Sequence, residues 1–307
     1  RRSSDLLIAL IVYMAGHLGS LEIEGMPVST RVVVIGHINH DRIWRLTERL
    51  RAGGRIAWSS RETRLGGGGY FTARRLLELG HDVALLSNLM DDDHGETAYA
   101  ELSSAGFDTS LITRREGKTD FADILLDPTG ERTILSSERR LSRSFLLDQP
   151  IEADAFYVNA PKLPETILAS LEQAPLVVSQ FPLREGEPRP ADIMIGSKAD
   201  LPGRSISDVW TMARKLVTDR LSHLVMTDGP AAISIFDGHV EQTVALDRIV
   251  SVRDTIGAGD TFSGNLLNAI LAKADIVAAS RIAGNETTAW LESRETQTRS
   301  ATEISTS

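Results

Sequence analysis

Short runs of β-branched residues alternate with stretches of helical periodicity along most of this chain. Arg31-Val-Val-Val-Ile-Gly36 is too short for a helix and has no polar alternation, so it predicts a strand buried on both faces. A glycine run, Gly66 to Gly69, opens a helical pattern through Leu76, Leu77 and Leu79 that stops at Gly80. Val83 to Leu86 predicts a strand, and Asp91-Asp92-Asp93 offers N-caps to a helix over about 95–104. From Ala155 the pattern predicts a strand, a helix after Pro164, strands at 176–179 and 193–195, a helix over 207–218, and strands at 224–227, 232–236 and 240–244. Two helices, over 258–273 and 275–291, close the chain ahead of a polar, loose tail from Glu295. Strands alternating with helices call for a parallel sheet covered on both faces.

Two regions break the alternation. Strands at 42–46 and 55–60 surround a loop at Ala52-Gly53-Gly54, and those at 121–126 and 132–135 flank the turn sequence Asp127-Pro-Thr-Gly130 and predict a hairpin. Neither has a crossover helix. Together, from about 37–64 and 117–136, they predict a small β-sheet projecting from the main layer.

The chain is 307 residues long and 42% hydrophobic, enough for one large domain. Its net charge of −9 gives no general attraction to nucleic acid or anionic lipid, so neither is expected as a partner. There are no cysteines, which excludes disulfides, thiolate metal sites and cysteine nucleophiles and accords with a cytoplasmic protein. Arg1 and Arg2 precede an apolar run, Leu6 to Met14, too short to span a bilayer. Residues 1–25 read as an N-terminal extension, with 26–307 as the functional domain.

The most informative segment is Asp254-Thr-Ile-Gly257-Ala258-Gly259-Asp260. Gly257, Ala258 and Gly259 leave the backbone uncovered just before an apolar helical run (Phe262, Leu266, Leu267, Ile270, Leu271). Amides at a helix start carry partial positive charge and hold phosphate well. Asp260, in that first turn, is placed to take a proton from an attacking hydroxyl while the amides stabilise the transferring phosphoryl group. The plainer alternative is an ordinary helix start with a favourable first-turn aspartate.

This segment resembles the DTxGAGD signature of the PfkB carbohydrate kinases, the ribokinase-like family, and the resemblance covers nearly all of 31–291. Gly36-His-Ile-Asn39-His-Asp41 is similar to the family's first-strand exit, Gly66 to Gly69 to its diglycine motif, Leu86 to Gly95 to its strand and Asp-Asp pattern, and Met226-Thr227-Asp228-Gly229 to its late strand and glycine turn. The resemblance implies a three-layer α/β/α sandwich with a mostly parallel central sheet and a small β-sheet lid over the substrate. It implies Mg2+ and ATP as phosphoryl donor, Asp260 as base, Gly257, Ala258 and Gly259 as anion hole, and Asn39, Asp41, Gly66 and Gly67 as substrate contacts. Thr227, Gly229 and Asn285 would line the nucleotide. Asp254 and Thr255 match positions that lie beside a potassium ion (K+) in many members.

The chain departs from the family pattern in several places. Where the family often has N-x-x-E, this chain reads Ser197-Lys-Ala-Asp200, so Ser197 would meet the nucleotide and Asp200 would act on magnesium indirectly. The usual asparagine after the diglycine motif is Phe71, and a substrate carboxylate is missing around Asn159-Ala-Pro161. Lys162 and Arg184 offer charge for an acidic or phosphorylated sugar. Residues after Asn285 lack the family's Gly-Ala pair.

Three readings remain: a kinase for a sugar or sugar derivative, a nucleoside kinase with Phe71 stacking on the base, or a catalytically weak relative that binds a ligand. Exposed lid edges favour a homodimer through the lid. Gly117-Lys118-Thr119 lacks the earlier glycine of a phosphate loop, since position 112 is isoleucine. His37, His40 and Asp41 lack the spacing of a zinc motif.

Overall fold

In β1 (Arg31–Gly36) the side chains of Val32 to Ile35 are fully buried, and alternate ones enter different cores. Val32 and Val34 join one hydrophobic cluster, Val33 and Ile35 another. Each such side chain contributes about 1.5–3 kcal/mol by burial, so a strand apolar on both faces stabilises a sheet covered on both faces. The computed structural model describes residues 29–138, 144–182, 186–217, 219–252 and 254–305, with side chains to 296. The expected extension over 1–25 and Arg184 lie outside the described residues.

The main sheet comprises β1, β4 (Asp82–Met90), β5 (Ile112–Arg115), β8 (Ala155–Asn159), β9 (Val177–Gln180), β10 (Ile193–Ser197), β11 (His223–Thr227), β12 (Ile233–Phe236) and β13 (Glu241–Val244). Their order is β13-β12-β11-β10-β9-β8-β1-β4-β5. Strands β11 through β5 run parallel, and β12 and β13 form an antiparallel edge. Helices α1 (Gly68–Glu78), α2 (Asp93–Ala105), α5 (Ala258–Leu271) and α6 (Ile276–Ser305) supply Leu76, Leu102, Leu266 and Ala283 to one core. Helices α3 (Glu165–Gln173) and α4 (Ile206–Leu216) supply Ile167, Leu171, Val209 and Ala213 to the other. The result is the three-layer sandwich expected. Among the described residues no helix is long and apolar enough to cross a membrane.

The second sheet orders β3 (Trp58–Gly66), β2 (Asn39–Leu46), β6 (Phe121–Leu126) and β7 (Arg132–Leu135) as β3-β2-β6-β7. Its central pair is parallel and its outer pairs antiparallel. Arg42 grips Asp123 through two bonds of 2.9 and 2.7 Å, and Trp44 Nε1 donates to the same carboxylate at 2.7 Å. β2 starts three residues after β1 ends, and β3 runs almost directly into α1, so this lid is tethered at the C-terminal edge of the main sheet.

Some elements differ from expectation. β2 and β3 are longer than the apolar runs that mark them, because antiparallel pairing carries the ladder on to Asn39 opposite Gly66. β5 was not anticipated: Ile-Thr-Arg-Arg has a single apolar residue and pairs only at the sheet edge. α6 runs to Ser305, so residues from Glu295 continue a helix where a loose tail was expected. No glycine or proline lies between Asn285 and Ser305 to end it. The acidic triplet caps as expected: Asp92 accepts from Gly95 N at 2.9 Å and also holds Thr119 N and Oγ1 at 2.7 Å. Burial alone would raise its carboxyl, but these donors hold it at about 2.

Candidate active site

Two helices begin side by side at the edge where the lid joins the sheet, and both have glycine N-caps without a side-chain cap. α1 starts behind Gly67 (φ +93°) and α5 behind Gly257 (φ +82°). By contrast α2 is capped by Asp92 and α4 by a Ser205–Asp208 capping box. The uncapped starts leave first-turn amides available to a ligand. The two helices are fastened along their length: Thr72 Oγ1 donates to Asp260 O at 3.1 Å, Arg75 Nε to Asn265 Oδ1 at 2.6 Å, and His81 Nε2 lies 2.9 Å from Asn268 Oδ1. α1 sits close to β1 because a β-carbon on Gly69 would lie 2.8 Å from Gly36 Cα.

Polar side chains from three other elements, β2, β8 and α5, crowd the glycines that lead into α1. A β-carbon on Gly66 would overlap the Asp41 carboxylate. One on Gly67 would come 2.5 Å from His37 O and 2.8 Å from Asn39 Cγ. One on Gly68 would overlap the Asn159 amide and lie 2.9 Å from Asp260 Oδ1. Asn39, Asp41, Asn159 and Asp260 thus converge where only bare backbone fits. Asp41 is 2% exposed, and Asn39 Oδ1 is buried with no hydrogen-bond partner.

At α5 the chain turns through Asp254–Ile256. Asp254 Oδ1 accepts from Ile256 N at 2.9 Å, and Ala258 N donates to Thr255 O at 3.1 Å. A β-carbon on Gly259 would meet nothing within 4 Å, so the space over that backbone is open. Asp260 is half-buried. Burial pushes its carboxyl up to about 6; Arg132 pulls against that, and the nearby Asp41 carboxylate adds to it. Burial, with the charge of Asp260, also raises the Tyr157 hydroxyl.

Phe71 does not reach the place expected of it. Its ring covers Gly257, where a β-carbon would meet it at 2.9–3.1 Å, and packs with Ile43, Ile124 and Ile256. An apolar ring gains more by sealing that lid–turn joint than by facing polar groups. Ser197 and Thr227 end adjacent strands as register partners; Ser197 Oγ accepts from Ala199 N at 3.3 Å, and Thr227 Oγ1 donates to Gly196 O at 3.3 Å. Gly229 follows with φ +54°. Burial raises the Asp200 carboxyl while Arg132 lowers it, so one lid arginine acts on both Asp200 and Asp260. Asn285 is committed elsewhere: it accepts from Asp247 N at 3.2 Å and donates to Asp247 Oδ2 at 2.6 Å.

The positions expected beside a potassium ion do not fit one. Asp254 Oδ2 accepts from Arg294 at 2.9 Å, and Ile256 O accepts from the same guanidinium at 2.7 Å. Thr255 receives Arg132 at its carbonyl (3.3 Å) and hydroxyl (3.1 Å). Among the described residues no group of three or more His, Asp or Glu is arranged to hold a metal ion, His37, His40 and Asp41 included. Lys162 pairs with Glu187 at 3.5 Å and is largely solvated.

A profile of the pfkB family carbohydrate kinases matches residues 29–174 and 190–303. The chain belongs to that family. It is 25% identical over 261 residues to an ATP-dependent ribose-1-phosphate kinase of Halopiger xanaduensis, a match covering 80% of this chain and 86% of that one. A ribokinase of Thermotoga maritima has the same fold, with a TM-score of 0.65 at 15% identity over 84% of this chain and 92% of that one. So does a nucleoside kinase of Burkholderia thailandensis in complex with inosine, with a TM-score of 0.64 at 16% identity over 84% and 89%. This pfkB-family protein is therefore a kinase with a hydroxyl acceptor.

Three residues that the fold brings to the candidate site carry no sequence signal that marks them for it. Asn159 was read as the loss of a carboxylate, yet it ends β8 opposite Gly36 and puts an amide beside Gly68 and Asp260. Arg132 and Arg294 carry no local signal, since the groups they hydrogen-bond, at Asp254–Ile256, are distant in sequence. The raised carboxyl of Asp260 has a consequence for folding. Between the ordinary aspartate value and about 6 the native state keeps a proton that the unfolded chain has released, so stability falls as pH rises through that window. Asp260→Asn removes this cost. Urea unfolding will find the variant more stable than wild type above about pH 7, with the gap closing toward pH 4.

Proposed function

We propose that this kinase moves the γ-phosphate of ATP onto a hydroxyl of a sugar or sugar derivative, with Asp260 as general base. The observation that carries the reading is the meeting of Asp260 with an open, uncapped helix start at Gly257–Gly259, beside Asn39, Asp41 and Asn159. A carboxyl poised near 6 is ionised at neutral pH yet remains basic enough to accept a proton as the hydroxyl attacks. Ala258 N is taken by Thr255 O, so the amides of Gly257, Gly259 and Asp260 would hold the charge on the transferring group, which is the main requirement of phosphoryl transfer. Asp41, Asn39 and Asn159 supply one carboxylate and two amides to orient sugar hydroxyls, with Gly66 and Gly67 letting the acceptor lie against the backbone. Arg132, on the lid strand β7, adds positive charge on the phosphate side when the lid is over the site.

Ser197, Thr227 and Gly229, at the ends of β10 and β11, are the residues we assign to the nucleotide. Magnesium binds with few carboxylates and mainly through the substrate phosphates. We assign Asp200 to that ion, acting indirectly; it feels the same lid arginine, Arg132, as Asp260 does. When bound, the ion neutralises phosphate charge. The ATP assignment is supported by the relative named as ATP-dependent. A nucleoside acceptor has less support, because the ring that would stack on a base is spent over Gly257.

The lid leaves Trp58, Ile134 and Leu135 about half exposed on its two edge strands. We assign that surface to a second copy, since open strand edges bearing apolar residues require cover. Light scattering will give twice the chain mass, and a monomer would refute the assignment.

Asp260→Asn will lower kcat by roughly two to four orders of magnitude with the fold intact. In the wild type, kcat/KM will fall below an acidic limb near about 6, set by protonation of Asp260. Near-normal turnover in the variant would remove Asp260 as the base.

A further inference from the structure

The turn that precedes the anion hole is held by a side chain from the far end of the chain. Arg294 lies on α6, one helical turn after Trp290, and its guanidinium stacks 4.6 Å from that ring. One of its nitrogens donates to Ile256 O and the other to Asp254 Oδ2, so a single planar fork spans both ends of Asp254–Ile256. The second oxygen of Asp254 already accepts from Ile256 N. Gly257, in the left-handed region, follows immediately and starts α5. Moving Arg294 would therefore move the carbonyl one residue ahead of the anion hole.

The surroundings make this more than a surface ion pair. The side chains of Asp254 and Arg294 are 11% and 19% exposed. Arg64 of β3 and Arg45 of β2 also approach Asp254 Oδ2, at 3.5 and 3.6 Å, while Glu62 pairs with both at 4.0 and 3.3 Å. Among the described residues three guanidiniums face two carboxylates beneath the turn, and Arg132 on Thr255 adds a fourth, so positive charge is in surplus there. A monovalent cation at Asp254 and Ile256 O would have to displace Arg294 and enter a cluster that is already positive. Arginine suits this place better than lysine, because only the fork reaches a carboxylate and a carbonyl together.

We propose that Arg294 is the permanent cation of the phosphate-binding turn, a positioning residue that makes activation by a monovalent cation unnecessary. It rests on the reading of Gly257–Asp260 as the phosphate site. Its effect is on geometry and field at that turn, so it acts on turnover more than on acceptor affinity.

The test compares wild type, Arg294→Ala and Arg294→Lys in potassium, sodium and choline chloride at constant ionic strength. Two readouts are used: thermal unfolding of the free protein, which needs no substrate, and kcat and KM with ATP and whichever acceptor the wild type phosphorylates. The wild type will show equal melting temperatures and equal kcat in potassium and choline. Arg294→Ala will lose about 10²-fold in kcat with little change in acceptor KM, as expected for a displaced reacting group. It will regain about tenfold with potassium or with added guanidinium ion, but not with choline. Its melting temperature will rise in potassium relative to choline, and Arg294→Lys will lie between. A wild type that melts higher or turns over faster in potassium than in choline would overturn the proposal, as would an alanine variant with unchanged kcat and no cation response. Should the alanine variant fail to fold, the cation response of the wild type and the lysine variant still decides. A wild type without activity on any acceptor would count against the kinase reading, while its melting behaviour would still judge the role of Arg294.

Discussion

Two helices that start at one point from glycine caps are the constraint on which the rest of the site depends. α1 and α5 lie against each other, joined by Thr72 to the Asp260 carbonyl, Arg75 to Asn265 and His81 to Asn268. That fastening fixes the bare backbone of Gly66–Gly68 against the acidic end of α5. Any side chain on those glycines would strike Asp41, Asn39, Asn159 or Asp260. The absence of side chains there is what lets four polar groups from distant parts of the chain share one small volume. The raised carboxyl of Asp260 follows from that crowding and from the burial it produces.

The lid is coupled to the same point by apolar and charged contacts. Ile43 and Ile124 pack on Ile256 and Phe71, while Arg45, Arg64 and Arg132 reach the Asp254–Thr255 turn. A lid that moves must therefore shift charge at the start of α5.

Features set by local chemistry could be read from the sequence. The β6–β7 hairpin falls at the expected residues because Asp127 Oδ1 accepts from Thr129 N, Thr129 Oγ1 and Glu131 N, a turn written in the five consecutive residues from Asp127 to Glu131. The both-face burial of β1 follows from Val-Val-Val-Ile alone. Features set by tertiary convergence could not be read. Arg132 and Arg294 look like ordinary surface cations until the fold brings them to residues more than thirty positions away. Phe71 and Asn285 occupy positions that suggest ligand contacts, but better partners nearby claim them: the joint at Ile256 for one, the Asp247 loop for the other. β5 and the end of α6 were missed for opposite reasons, a strand with too few apolar residues and a helix with no residue to stop it.

The central claim is that the backbone at the start of α5 receives the migrating phosphoryl group next to an inward-facing acid. A crystal structure with ADP, magnesium and beryllium fluoride tests it most directly. The account predicts the fluoride group over Gly259, with amide nitrogens of the 257–260 turn about 3 Å from its fluorines, and the Asp260 carboxylate facing the same cavity. A fluoride group held anywhere else, or an Asp260 side chain turned away from it, would contradict the account.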